Sequence, residues 1–149
     1  MIVKSRNVRE IFDSLVGDWN IKRILNEELI AEGVATFKLI DVDNILYRED
    51  LEITYPHISC INRTYKEYLY FYHRGKNMIY KAFMDSTYFY GLEFDCDKSI
   101  AKGVHSCNQD YYKATYQILA LDYFIVKYEV IGPKKSYIIN TKFTRFAEI

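Results

Sequence analysis

Four side chains able to do chemistry fall within a short span: His105, Cys107, Asp110 and Tyr112. Alternate residues of an extended chain share a face, so His105 goes with Cys107 and Asp110 with Tyr112, and the four can converge on a pocket. An imidazole beside a carboxylate suits general acid–base work, with His105 as acid or base and Asp110 orienting it. A nucleophilic Cys107 would need the imidazole to activate it and a third group to hold the base, and H-x-C along one face does not supply that geometry. A metal needs three or four ligands of matched geometry, whereas one histidine, one thiol and one carboxylate lie close here, so no metal is expected. The plain alternative is a connection held by Asp110 accepting backbone N–H bonds, with His105 and Tyr112 satisfied inside.

Arg63 alternates with Ile61 and Tyr65, an interior-looking set. An arginine among aromatics suits a carboxylate or phosphate ligand, because the guanidinium stays charged and grips two oxygens at once. Its alternative is a buried pair with Glu49 or Asp85. Arg48 belongs with Leu46, Asp50 and Glu52 on the wetter face of residues 45–53, opposite Ile45, Tyr47, Glu49 and Leu51, and is expected in solvent. Lys135 and Tyr137 share a strand face beyond the Gly132-Pro133 turn and can reach an open mouth. A phosphate cradle would instead need a glycine-rich backbone opening a helix. Arg63, Tyr65, His105, Cys107, Tyr112, Lys135 and Tyr137 thus form the candidate ligand-binding set, and the sequence leaves the cofactor unknown.

The elements that must position these groups are mostly strands. Asn7 and Glu10 have the spacing of a capping pair, and Val8, Ile11, Phe12 and Leu15 repeat at helical intervals, which predicts one short helix over 8–15 ended by Gly17. About nine strand-like runs follow, centred on 18–26, 31–40, 44–54, 57–66, 68–73, 77–84, 87–94, 111–119, 122–131 and 136–146, with merging between neighbours. Regular turns between short strands are the pattern of sandwiches and barrels. Residues 95–110 are poorest in strand pattern and read as a long connection.

Length places all 149 residues in one domain. Twenty basic residues balance twenty acidic ones, which leaves no net field to draw the chain to nucleic acid or an anionic membrane. Fifteen tyrosines and nine phenylalanines suit strands and concave surfaces. Stacking on nucleic-acid bases would also need an electropositive groove, so filling a barrel is the simpler use of the tyrosines. Cys60, Cys96 and Cys107 contain no C-x-x-C pair and read as free thiols, with one bridge plus a spare thiol as the alternative. No apolar run has the length of a signal peptide core or a membrane span, so the expected location is the cytoplasm.

Gly17-x-Trp19 with Arg23, Gly33-x-Ala35-x-Phe37, Tyr47-Arg48-Glu49, Arg63-x-Tyr65, Phe83-x-Asp85, His105-x-Cys107-x-x-Asp110-x-Tyr112, Gly132-Pro133-Lys134-Lys135-x-Tyr137 and Thr144-Arg145 occur in that order. Over residues 12–146 this resembles the domain-of-unknown-function family 6314, with Phe89-Tyr90 where the family favours an aromatic-histidine pair. The resemblance implies one intact domain and brings no activity with it. More loosely, the G-x-W start is similar to that of calycins, the lipocalin and fatty-acid-binding-protein barrels. That likeness implies an all-β, closed or nearly closed antiparallel barrel of about eight to ten strands with a short N-terminal helix, in which Trp19 under Arg145 closes one end by cation-π contact. The opposite end would then be open, with a small, partly apolar, anionic or polar ligand in the lumen. Two other functions compete: an enzyme using His105 with Asp110, and an interaction module or homodimer formed through tyrosine-rich strands.

Overall fold

A computed structural model of the chain describes residues 7–53 and 62–146. One short helix, α1 (Val8–Ser14), precedes ten strands: β1 (Gly17–Leu25), β2 (Glu28–Asp41), β3 (Asn44–Ile53), β4 (Asn62–His73), β5 (Met78–Ala82), β6 (Tyr88–Asp95), β7 (Ile100–Cys107), β8 (Asp110–Ala120), β9 (Tyr123–Ile131) and β10 (Ser136–Arg145). Each strand pairs antiparallel with its chain neighbours, and β1 also pairs with β10, so the sheet closes into a barrel. Trp19 stands opposite Arg145 across that seam, and Arg23 opposite Thr141.

Alternation dictates the strands. In β1, Trp19 and Ile21 are buried while Asp18, Asn20 and Lys22 face water. In β3, Ile45, Tyr47, Glu49 and Leu51 turn inward, the faces expected from the sequence. At α1 the Asn7 side chain accepts from the Glu10 N–H at 2.8 Å, which satisfies a first-turn donor. Gly17 then turns the chain at φ +135°, and a side chain there would collide with the Arg145 guanidinium. Val8, Ile11, Phe12 and Leu15 are buried, and the helix plugs one end of the barrel.

One expectation is corrected. Residues 95–110 are not one long connection, because they contain β7. The two buried positions of β7 are both small: Ala101 faces Tyr116 across the ladder, and a Cβ on Gly103 would lie 2.8 Å from both the Gly91 carbonyl oxygen and the Tyr90 ring. Large rings on neighbouring strands fill the space that β7 leaves, so its own hydrophobic alternation is faint. The runs 57–66 and 68–73 merge, and within the described residues β4 is one continuous strand. Cys60, Pro56 and the first part of that expected run lie outside the described residues. Cys96 and Cys107 are free thiols. No helix among the described residues is long and apolar enough to cross a membrane.

Candidate functional site

The two ends of the barrel differ. At the helix end the Trp19 Nε1–H donates to the Leu15 carbonyl at 2.9 Å, and the Arg145 guanidinium lies 4.1 Å above the indole. Arg145 also donates to the carbonyls of Val16 at 3.0 Å, Leu121 at 3.2 Å and Ser14. Trp19, Phe37, Phe124 and Phe143 pack ring on ring beneath, which leaves this half solid.

The other half holds a cavity of about 170 Å³. On one wall Arg23 grips Glu49 with two N–H···O bonds of 2.8 and 3.0 Å and donates its Nε–H to Thr141 Oγ1 at 3.0 Å. The Tyr47 hydroxyl donates to the same carboxylate at 2.8 Å. Burial works against the Glu49 charge, yet these partners outweigh it and hold the carboxyl below the usual glutamate range. Tyr47, almost wholly buried next to that carboxylate, is pushed well above the ordinary phenol range by desolvation.

Facing this pair is Lys81, only 6 % exposed. Its Nζ donates to the Tyr128 hydroxyl at 3.0 Å and sits 4.2 Å from the Tyr68 ring centre, with the rings of Tyr47, Tyr70, Phe89, Tyr90 and Tyr128 within 5.8 Å. Burial disfavours the ammonium, but the surrounding phenolic oxygens of Tyr128, Tyr70 and Tyr68 outweigh it and keep the pKa above the ordinary lysine range. Among the described residues no carboxylate forms an ion pair with Lys81: Glu49, which it feels through space, is already engaged by Arg23. Two cations, Arg23 and Lys81, therefore share one carboxylate.

Of the residues expected at the site, Tyr112 and Tyr137 line this cavity. His105, half-buried, stacks edge-on to Phe89 at 5.1 Å and lies behind the cavity wall formed by Phe89 and Tyr112. Cys107 is exposed at the end of β7. The expected His105–Asp110 dyad does not form: Asp110 bonds to Lys135 Nζ at 3.2 Å and packs against Gly132, while the neighbours of His105 are the rings of Phe83, Phe89 and Tyr112. Arg63 and Tyr65 are corrected outright. Lys66, Tyr68 and Tyr70 set the inward parity of β4, so the odd-numbered side chains point out, and Arg63 pairs in solvent with Glu52 at 3.4 Å. Arg63 and Tyr65 instead line a shallow groove of about 830 Å³ on the outer face of β1–β4. That groove is larger than the lumen but carries more acids than bases, Glu32, Asp50 and Glu52 against Lys22 and Arg63, and Arg63 is already paired with Glu52. It is the poorer candidate for a charged ligand. The described residues contain no group of three or more metal-ligating side chains.

Sequence reasoning missed Arg23, Glu49, Tyr68, Lys81 and Tyr128 as site residues. The signal was a charge in phase with apolar neighbours: Arg23 follows Trp19 and Ile21 at strand spacing, Lys81 follows Ile79, and Glu49 lies between Tyr47 and Leu51.

A closed ten-stranded antiparallel barrel with one plugged end and a polar, aromatic lumen defines the class of this protein. The chain belongs to the family of unknown function DUF6314, whose model matches residues 15–145. No curated protein matches the sequence significantly. Among solved structures, the S-type phycobiliprotein lyase CPES from Guillardia theta superposes with a TM-score of 0.71 at 8% identity, over 97% of this chain and 95% of that one. The redesigned β-barrel mFAP1 bound to DFHBI gives a TM-score of 0.51 at 7% identity, over 89% of this chain and 96% of that one. A further barrel of that series, mFAP2b bound to DFHBI, gives 0.52 at 7% identity, over 94% and 100%. At such identities the likeness is one of fold.

Proposed function

We propose that the protein binds a small, partly apolar anion in the barrel lumen, with Lys81 as its counter-ion. The observation that carries this reading is a buried ammonium bordering a cavity with no carboxylate of its own. A charge taken out of water is costly unless it is paired, and an anion entering the cavity would supply the missing partner. The aromatic walls suit a flat apolar body, and Arg23 and the exposed Lys66 at the mouth add to the attraction. Size narrows the choice: 170 Å³ lies below the roughly 300–1,000 Å³ of pockets that take drug-sized ligands, so the ligand is a single ring or short chain. The fold likeness to barrels solved with a small molecule bound supports a lumen site in general terms.

Native mass spectrometry after incubation with a mixture of benzoates, phenols and short fatty acids tests the reading. The wild type is expected to retain aromatic anions and Lys81→Gln to release them. Retention of nothing, or equal retention by Lys81→Gln, overturns it.

A further inference from the structure

Lys81 does not stand alone. The Tyr70 and Tyr116 hydroxyls are 2.6 Å apart, those of Tyr116 and Tyr90 2.5 Å, and those of Tyr90 and Tyr128 2.6 Å. Each phenol brings one hydrogen and two acceptor lone pairs. Four hydroxyls joined by three links use three hydrogens, which leaves one without a partner inside the ladder. Lys81 cannot accept it, because an ammonium only donates: it gives one N–H to Tyr128 and also favours the Tyr70 oxygen.

The position of the leftover hydrogen follows from burial. Tyr70, Tyr90 and Tyr116 are each 3 % exposed and have no other acceptor among the described residues. A leftover hydrogen on any of them would be an orphaned buried donor, which folded proteins avoid. Donation from Tyr70 to Tyr116 to Tyr90 to Tyr128 places it on Tyr128, the one member of the ladder that borders the cavity. Loss of a proton would also settle the count, but desolvation holds Tyr90 and Tyr116 well above the ordinary phenol range and pushes Tyr70 up to about 12. The two lone pairs of Tyr128 are then filled by Tyr90 and Lys81, and its own O–H is aimed at the lumen.

We propose that Tyr128 is the neutral hydrogen-bond donor of the lumen site, and that its hydroxyl and the Lys81 ammonium converge on one oxygen of the ligand, of the phenolate or enolate kind. This rests on the lumen reading above. Donor atoms 3.0 Å apart are close enough to share a single acceptor. The one carboxylate of the cavity wall, Glu49, is already taken by Arg23 and Tyr47. The near-parallel rings of Tyr68, Phe89 and Tyr128 flank the same space and suit a flat conjugated body.

The test uses 4-nitrophenol, whose absorbance reports its ionisation. Bound to the wild type it is expected to ionise about one pH unit below its value in buffer, a tenfold preference for the oxyanion of the size given by one hydrogen bond to a charged group. Its methyl ether, 4-nitroanisole, is expected to bind at least about tenfold more weakly than the phenolate. Tyr128→Phe is expected to remove most of the ionisation shift, and Lys81→Gln to abolish binding. If the probe binds the wild type with unshifted ionisation and is lost with Lys81→Gln, the lumen reading stands and the Tyr128 assignment falls. If nothing binds the wild type, both fall. Tighter binding of benzoate than of 4-nitrophenolate at one pH overturns the single-oxygen geometry. An unshifted wild-type titration overturns the Tyr128 assignment even where the Tyr128→Phe chain fails to fold, because it needs no variant.

Discussion

The closed end and the open half of this barrel are built on the same strands and filled from the same aromatic stock, yet they do opposite things with it. Near the helix the rings meet each other: Phe124 and Phe143 lie 4.4 Å apart and nearly parallel, and Trp19 sets its edge 4.8 Å from Phe124. Backbone carbonyls meet the polar groups among these rings: Leu15 accepts from Trp19, and Val16 and Leu121 from Arg145. A few residues further along, the inward rings carry hydroxyls, and among them stand Lys81, Arg23 and Glu49. The difference teaches where stability and recognition are held. Dense apolar packing at one end secures the barrel, which lets the other end keep buried charge that a structure built for stability alone would replace with apolar groups.

The comparison is tested hardest at Trp19. Trp19→Ala removes a wholly buried ring from a site hemmed in by three phenylalanines and the helix, and is expected to cost about 4 kcal/mol in urea denaturation. A loss below about 1 kcal/mol would mean that the closed end is not the securing half. Next in size is Glu49→Ala, which leaves the Arg23 guanidinium facing the lumen without its carboxylate and is expected to cost about 3 kcal/mol. The same pair sets an acid limb. Because the Glu49 carboxyl ionises at lower pH folded than unfolded, its contribution is complete above the unfolded glutamate value, about 4.3, and drains as the pH falls through the folded value. Urea midpoints measured from pH 7 down to pH 3 should therefore fall below about pH 4.5, and Glu49→Gln should flatten that limb.

The closed end was far more legible in the sequence than the open one. Trp19 and Arg145 are a rare residue and a late cation in a known order, and the helix before them announces itself by its cap and its period. The alternation of β3 placed Glu49 inside with Ile45, Tyr47 and Leu51. What stayed hidden was parity where the alternation is weak. Arg63 looked interior beside Tyr65, but tyrosine occurs on both faces of this barrel, as the exposed Tyr65 and the buried Tyr70 of the same strand show, so it cannot mark a side. β7 was hidden for a related reason, since Ala101 and Gly103 make room for rings that belong to other strands. The pairing of Asp110 with Lys135 depends on two hairpins meeting at the mouth, which nothing local to either could reveal.

The smallest expected effect on stability sharpens the contrast most. Lys81→Met keeps the length of the side chain and puts a polarizable thioether among six aromatic rings, a setting in which methionine packs well. The variant is spared the desolvation of a buried charge and loses the attraction of the phenolic oxygens for it, two effects of opposite sign. The Tyr128 oxygen loses one donor but still accepts from Tyr90, so no hydrogen is newly orphaned. Stability in urea is therefore expected to change by less than about 1 kcal/mol, in either direction. Retention of aromatic anions should nevertheless disappear. An unfolded or strongly destabilised Lys81→Met chain would show that the ammonium braces the tyrosine ladder, and the two halves of the barrel would then differ in composition without differing in task.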